Sequence, residues 1–328
     1  MLSQEKSIHL PKNKHKFKLN KKMKNYRLWV ISLTMAGLML PHVVKAQEKI
    51  KSEENVVVVE HGGRGPHKAI MKEEATLDAH TIFVPLDLTE FSAKNPLPVV
   101  VWGNGACFNS PFEHYKFLNE IASHGYLVVA TGYIPRNGAE PYQGPRSTTQ
   151  QQVESMDWVI AQNANPASPY YQKIDVQSIC VAGMSCGGLQ TLYNCADPRI
   201  KTLMVCNSGL FNNASGAMPG MPMPSKEKLN EIHCPVMYML GGESDIAYAN
   251  GKDDFSRISH VPACFANLPV GHGGTYAQPH GGEYSIVALA WLDWQLKGDK
   301  RAAKMFKGKK PQLANRPGWT LQKNELMK

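Results

Sequence analysis

The chain has 328 residues, with 36 Lys and Arg against 27 Asp and Glu, and a formal charge of +9. A basic balance of this size would suit nucleic acid or an anionic membrane surface, but its location excludes both. Residues 1–27 carry nine basic side chains and one acid, Glu5, followed by an apolar run from Leu28 to Leu40 and then Val44-Lys45-Ala46 before Gln47. That is the layout of a secretory signal peptide over residues 1–46, with Met23 a candidate start.

An apolar run of 13 residues is short for a bilayer span, so no stable membrane anchor is expected. Without residues 1–46 the formal charge is zero over 282 residues, enough for one large domain, 47–328, with a substantial core. A secreted or periplasmic location follows, and no nucleic-acid partner. Seven cysteines, an odd number, leave at least one thiol unpaired within the chain even where disulfides are permitted. No Cys or His cluster has zinc-like spacing, and neither a metal nor another cofactor is expected.

In chain order, Asn55-Val56-Val57-Val58-Val59 and Thr81-Ile82-Phe83-Val84-Pro85-Leu86 read as strands. Leu97-Pro98-Val99-Val100-Val101-Trp102 is an unbroken apolar run, suited to a strand buried on both faces. A helix around His114 to Ala122 closes at Ser123-His124-Gly125, and Tyr126 to Ala130 is again a strand. Ser147 or Thr148 can cap a helix running through Val153, Met156, Trp158 and Ile160. Ser178 to Ala182, Thr202 to Cys206, Pro235 to Leu240 and Cys264 to Val270 read as further strands. Asp253 and Asp254 read as the start of a short helix, Tyr284 to Leu296 as the final one, and the basic tail from Lys300 as a surface wrap. Strands alternating with helices imply βαβ units and a mostly parallel sheet. Between two late strands, Gly209 to Ser225 is too short for a large cap. Its Met218, with Trp102 and Tyr133, makes a candidate substrate rim.

Gly183-Met184-Ser185-Cys186-Gly187 stands between one such strand and an apolar helix, Gly188 to Tyr193. Strand, tight turn and helix around a serine is the nucleophile elbow. Glycines flank it because side chains there would strike the neighbouring elements. A serine hydroxyl attacks only when a base takes its proton and a third group orients that base. In this architecture the acid and then the histidine follow at later strand ends. Asp245, in Gly241-Gly242-Glu243-Ser244-Asp245, and His272, in Gly271-His272-Gly273-Gly274, stand there; His280 and Glu243 are the rivals.

The oxyanion donors are expected to be the N–H of Cys186 and one from Gly105 or Ala106, in the loop after Trp102. Cys107 and Cys186 lie on the two loops that must converge there, so a disulfide between them that rigidifies the hole is expected.

Trp102-Gly103-Asn104-Gly105, Ala122-Ser123-His124-Gly125-Tyr126, the elbow, Ser244-Asp245-Ile246-Ala247-Tyr248 and Gly271-His272-Gly273-Gly274-Thr275-Tyr276 resemble exported, cap-poor α/β-hydrolases of the chlorophyllase, dienelactone hydrolase and polyester hydrolase group. The resemblance spans about residues 97–296. It implies the α/β-hydrolase fold, with a mostly parallel eight-stranded sheet, helices on both faces and the same three catalytic positions. Dienelactone hydrolases proper use a cysteine nucleophile where this chain has Ser185, so their substrate does not carry over. Polyester hydrolases differ around the elbow, so polymer cleavage is not implied either. The expected activity is hydrolysis of a small-molecule or polymer-linked carboxylic ester. A peptidase or amidase with the same triad, and a catalytically silent binding protein, are the competing readings.

Overall fold

The computed structural model describes residues 56–134, 144–213 and 217–327, all within one unit, Glu48–Lys328. The export segment expected over residues 1–46 lies outside the described residues. In chain order the strands are β1 (Val56–Val57), β2 (Ala69–Glu74), β3 (Leu77–Pro85), β4 (Leu97–Gly103), β5 (Leu127–Thr131), β6 (Ile174–Met184), β7 (Ile200–Cys206), β8 (Val236–Leu240), β9 (Ala263–Asn267) and β10 (Thr320–Lys323). The helices are α1 (Tyr115–Ser123), α2 (Thr149–Ala164), α3 (Cys186–Tyr193), α4 (Tyr248–Arg257) and α5 (Gly282–Lys297).

All ten strands join one sheet in the order β1-β2-β3-β5-β4-β6-β7-β8-β9-β10. The pairings from β5 across to β9 are parallel. The pairings at either margin, β1 to β3 with β5 and β10 with β9, are antiparallel. Every residue of β4 is buried, as its unbroken apolar run requires, because packed side chains cover both faces of the sheet. One layer holds Trp102, Phe117, Tyr284 and Trp291, and the other Val101, Trp158, Leu192 and Tyr238.

Eight strands were expected and the described residues hold ten, so the count is corrected at both margins. β2 begins apolar at Ala69-Ile70-Met71 but ends in Lys72-Glu73-Glu74, since a marginal antiparallel strand need bury only part of its length. β10 exposes alternate residues and carries no apolar run. The strand expected over 55–59 contracts to two residues. The tail from Lys300 is not a surface wrap: Phe306, Leu313, Trp319 and Met327 are buried in the same layer as Trp102.

The helices begin and end for local reasons. The Thr148 N–H donates to Gln151 Oε1 at 2.8 Å and starts α2. After α1 the chain turns at Gly125, whose φ of +79° favours a residue without Cβ. Asp253 and Asp254 fall in the second half of α4 rather than at its start. The buried Asp254 carboxylate accepts the Leu210 N–H at 2.7 Å and faces Lys226 Nζ at 2.5 Å, fastening the β7–β8 connection to α4. Because β4, β6, β7, β8 and β9 run parallel, the loops leaving their C-terminal ends gather along one side of the sheet, where ligands of open α/β sheets bind.

Candidate active site

Ser185 sits between β6 and α3 with φ 52° and ψ −114°. A non-glycine residue held there costs on the order of 1–3 kcal/mol and persists only where its surroundings enforce it. Here a Cβ on Gly187 would come within 2.0 Å of the Gly103 carbonyl oxygen, and one on Gly183 within 2.3 Å of Gly187. The glycines thus allow α3 to lie against β4 and β6. The Ser185 N–H donates to the Cys206 carbonyl at 3.0 Å, and the Ser208 hydroxyl donates to the Ser185 carbonyl at 2.6 Å.

Three strand ends bring three polar side chains into one line. His272, in the loop after β9, places Nε2 3.0 Å from Ser185 Oγ and Nδ1 2.6 Å from Asp245 Oδ1. Asp245 follows β8 and is buried. Its Oδ1 also accepts the Ala247 N–H at 2.9 Å, and its Oδ2 accepts the Gly241 N–H at 2.9 Å and Asn207 Nδ2 at 2.7 Å. Burial pushes the carboxyl pKa up, but the hydrogen bonds from His272, Ala247 and Gly241 outweigh it and hold the pKa below its usual value. The carboxylate therefore stays ionised and fixes the imidazole by its Nδ1 side.

The two rivals stand elsewhere. His280 Nδ1 lies 3.2 Å from Glu120 Oε2 and 3.5 Å from Glu60 Oε2, and Glu243 is exposed.

Asn207 is a partner of Asp245 that the sequence reading did not single out. It is buried at the end of β7 with φ 43°. Its Oδ1 accepts the Tyr276 hydroxyl at 2.6 Å, while its Nδ2 reaches Asp245. The signal was a polar residue directly after the apolar run Thr202 to Cys206, at a strand end neighbouring the elbow.

Cys107 and Cys186 form the expected disulfide, their Cα atoms 5.2 Å apart. The other five cysteines are buried free thiols; burial pushes Cys206 up to about 12 and Cys195 up to about 11, so neither is a reactive thiolate at neutral pH. Asn104 anchors the loop after β4 by donating from Nδ2 to the Thr131 carbonyl at 2.6 Å and the Phe108 carbonyl at 3.1 Å. Its own carbonyl accepts the Gly187 N–H at 2.9 Å, joining this loop to α3. Cys186 opens α3, where a helix leaves its N–H without an intrahelical acceptor. Gly105 and Ala106 line the space over Ser185, Ala106 at φ 50°.

A cleft of about 960 Å³ opens over Ser185 and His272. Phe211, Met218, Met221 and Ile246 give it an apolar rim. Met218 is thus a rim residue, but the other two candidates are not. Trp102 is fully buried, packed against His114, Phe117 and Tyr276, because its strand is covered on both faces. Tyr133 is directed to Asp78, 3.2 Å from hydroxyl to carboxylate, and does not line the cleft. His114 lines the cleft although it is 1 % exposed. Burial drops its pKa to about 3, so its imidazole is neutral. Among the described residues no cluster of ligating side chains could hold a metal ion, and no helix is long and apolar enough to cross a membrane.

The model of the PETase family, described as PET hydrolase-like, matches residues 78–314. The chain belongs to this family. Membership gives a hydrolase with the α/β-hydrolase fold and an ester substrate, and it selects the polyester hydrolases from the three groups that the sequence resembled. A comparison with curated proteins returns no match. The match to the PET hydrolase-like family begins within β3 and ends before β10. It encloses Ser185, Asp245, His272 and both disulfide cysteines.

Proposed function

We propose that this PET hydrolase-like chain is an exported serine esterase that works through an acyl-enzyme. Ser185 Oγ attacks the ester carbonyl carbon as His272 Nε2 takes its proton, and the carbonyl oxygen becomes an oxyanion. The Cys186 N–H and the Gly105–Ala106 loop donate to that oxygen. The C–O bond to the leaving alcohol then breaks, and the imidazolium returns the proton to the alkoxide. Water repeats the sequence on the acyl-enzyme, releasing the carboxylic acid and restoring Ser185. Asp245 holds His272 in the tautomer that leaves Nε2 free to accept and stabilises the imidazolium.

The observation that carries this reading is the unbroken hydrogen-bonded run from Asp245 through His272 to Ser185 at the floor of an open cleft. Export is supported by the leader-like first 46 residues and by a disulfide beside the site. A fluorophosphonate probe is expected to label the protein, and Ser185→Ala to abolish labelling. Unchanged labelling of that variant would overturn the nucleophile assignment, and an unlabelled parent would favour a silent scaffold. A panel of chromogenic esters run beside aminoacyl amides is expected to show turnover of the esters.

Asn207 acts in this scheme as a positioning residue. Asn207→Ala removes one donor from a buried carboxylate, an interaction worth about 1.5–3 kcal/mol. The expected result is a kcat lowered by roughly tenfold with KM little changed and a thermal melt close to the parent's. A merely structural role would instead lower the melt and leave kcat per folded enzyme in place.

A further inference from the structure

Among the described residues the acidic and basic side chains lining the cleft, besides His272 and the neutral His114, are Glu113 and Lys116. Lys116 has a counter-charge outside the reaction space, with Nζ 3.7 Å from Glu60 Oε1. Glu113 is exposed and has neither an ion pair nor a hydrogen bond among the described residues; partial burial raises its carboxyl pKa and the charge of His272 lowers it. Its position is specific: Oε2 lies 3.5 Å from the point a Cβ on Gly105 would occupy. A carboxylate without an ion pair therefore stands against the loop assigned above to the oxyanion. Next to it Phe108 and Phe112 line the cleft as an edge-to-face pair, ring centroids 5.9 Å apart.

A negative charge there opposes formation of a second one on the substrate carbonyl, a cost that the His272 imidazolium offsets in part and a cation on the substrate offsets further. Aromatic faces beside a carboxylate are also what a quaternary or protonated amine binds. We propose that Glu113, with Phe108 and Phe112, forms a subsite for a cationic group carried by the ester, so that the enzyme selects ammonium-bearing esters over neutral and anionic ones. This rests on the serine-esterase reading. Glu113 is a specificity residue in it and takes no part in the proton transfers. Because the compensation is greatest when the oxyanion forms, selectivity is expressed in kcat/KM and not in ground-state binding alone.

The test compares isosteric ester pairs in the parent and in Glu113→Gln. One pair is choline butyrate with 3,3-dimethylbutyl butyrate, placing the cation in the alcohol. The other is the ethyl ester of trimethylglycine with that of 3,3-dimethylbutyric acid, corrected for its intrinsic hydrolysis rate, placing the cation in the acyl group. An exposed charge pair supplemented by cation–π contact supports a preference of about tenfold for the cation. In the parent this preference is expected in at least one pair. In Glu113→Gln, kcat/KM for the cationic ester falls while that for its neutral partner rises, because the opposing charge has gone. General structural damage would lower both.

A parent without preference in either pair, or a variant in which the two values move together, overturns the proposal. Calorimetry of phenyltrimethylammonium with the Ser185→Ala protein, with and without Glu113→Gln, tests the subsite without turnover. Weaker binding on loss of Glu113 supports the subsite even if no ester is hydrolysed, whereas equal binding overturns it. Failure of the esterase reading itself would appear separately, as a parent that neither hydrolyses any ester nor takes the fluorophosphonate.

Discussion

Asp245→Asn is expected to lower kcat for ester hydrolysis by about 10⁴-fold, with KM and the fold little changed. The hydrogen-bond pattern gives the reason. Oδ2 meets two groups that can only donate toward it, the Gly241 N–H and Asn207 Nδ2, against one at Oδ1, the Ala247 N–H. An asparagine amide must therefore keep its oxygen on that side and turn its NH₂ toward His272. The imidazole can meet an NH₂ only by giving up its Nδ1 proton, which leaves the proton on Nε2, pointing at Ser185 Oγ. That nitrogen then cannot accept the serine proton. Steady-state kinetics with the best ester of the panel, beside a thermal melt, measures both halves of the expectation. A variant retaining more than a tenth of the parent kcat would mean that another carboxylate orients the base, Glu243 being the nearest in sequence.

Removing the disulfide carries the largest expected effect on stability. Cys107 and Cys186 are 79 residues apart, and constraining an unfolded chain over a loop of that size is worth about 4.5 kcal/mol in the chain-entropy treatment. The double variant Cys107→Ala, Cys186→Ala keeps both backbone N–H groups. Its melting temperature is expected to fall by roughly 10 °C, at about 2–4 °C per kcal/mol for a domain of this size. Activity should fall with it even well below the melt, since Cys107 and Cys186 fasten the Gly105–Ala106 loop to the first turn of α3. A melt within 2 °C of the parent and unaltered kinetics would show that the Asn104 hydrogen bonds hold the loop without the sulfur bridge. Non-reducing peptide mapping checks that the parent carries the bond.

The legible parts of this chain were those where one physical demand dominates. A strand covered on both faces must be continuously apolar, and Val99-Val100-Val101-Trp102 says so in sequence. A sharp turn under a nucleophile needs glycines at fixed offsets, and Gly183, Gly187 and Gly188 stand at them. Asp245 and His272 could be named as candidates because strand ends limit where an acid and a base for Ser185 can be. The same reasoning could not find β10, because Thr320-Leu321-Gln322-Lys323 pairs through its backbone at the sheet margin and buries little of its own. It misplaced Trp102 because a strand-end aromatic can point into the cleft or beneath it, and only packing against His114 and Tyr276 decides. It overlooked Asn207 for a related reason: that residue matters through Asp245 and Tyr276, far away in sequence.

The C-terminal strand has a consequence for how the molecule behaves among its own copies. β10 covers the outer side of β9, pairing Thr320 with Asn267 through to Lys323 with Cys264. Without it the parallel sheet would end on β9, a short strand whose outward N–H and C=O groups would be open to any other extended chain. The residues after 314, beyond the reach of the family match, thus serve as a built-in stopper against edge-to-edge assembly. A chain shortened there would bare the β9 edge and also take Trp319 and Met327 out of the core.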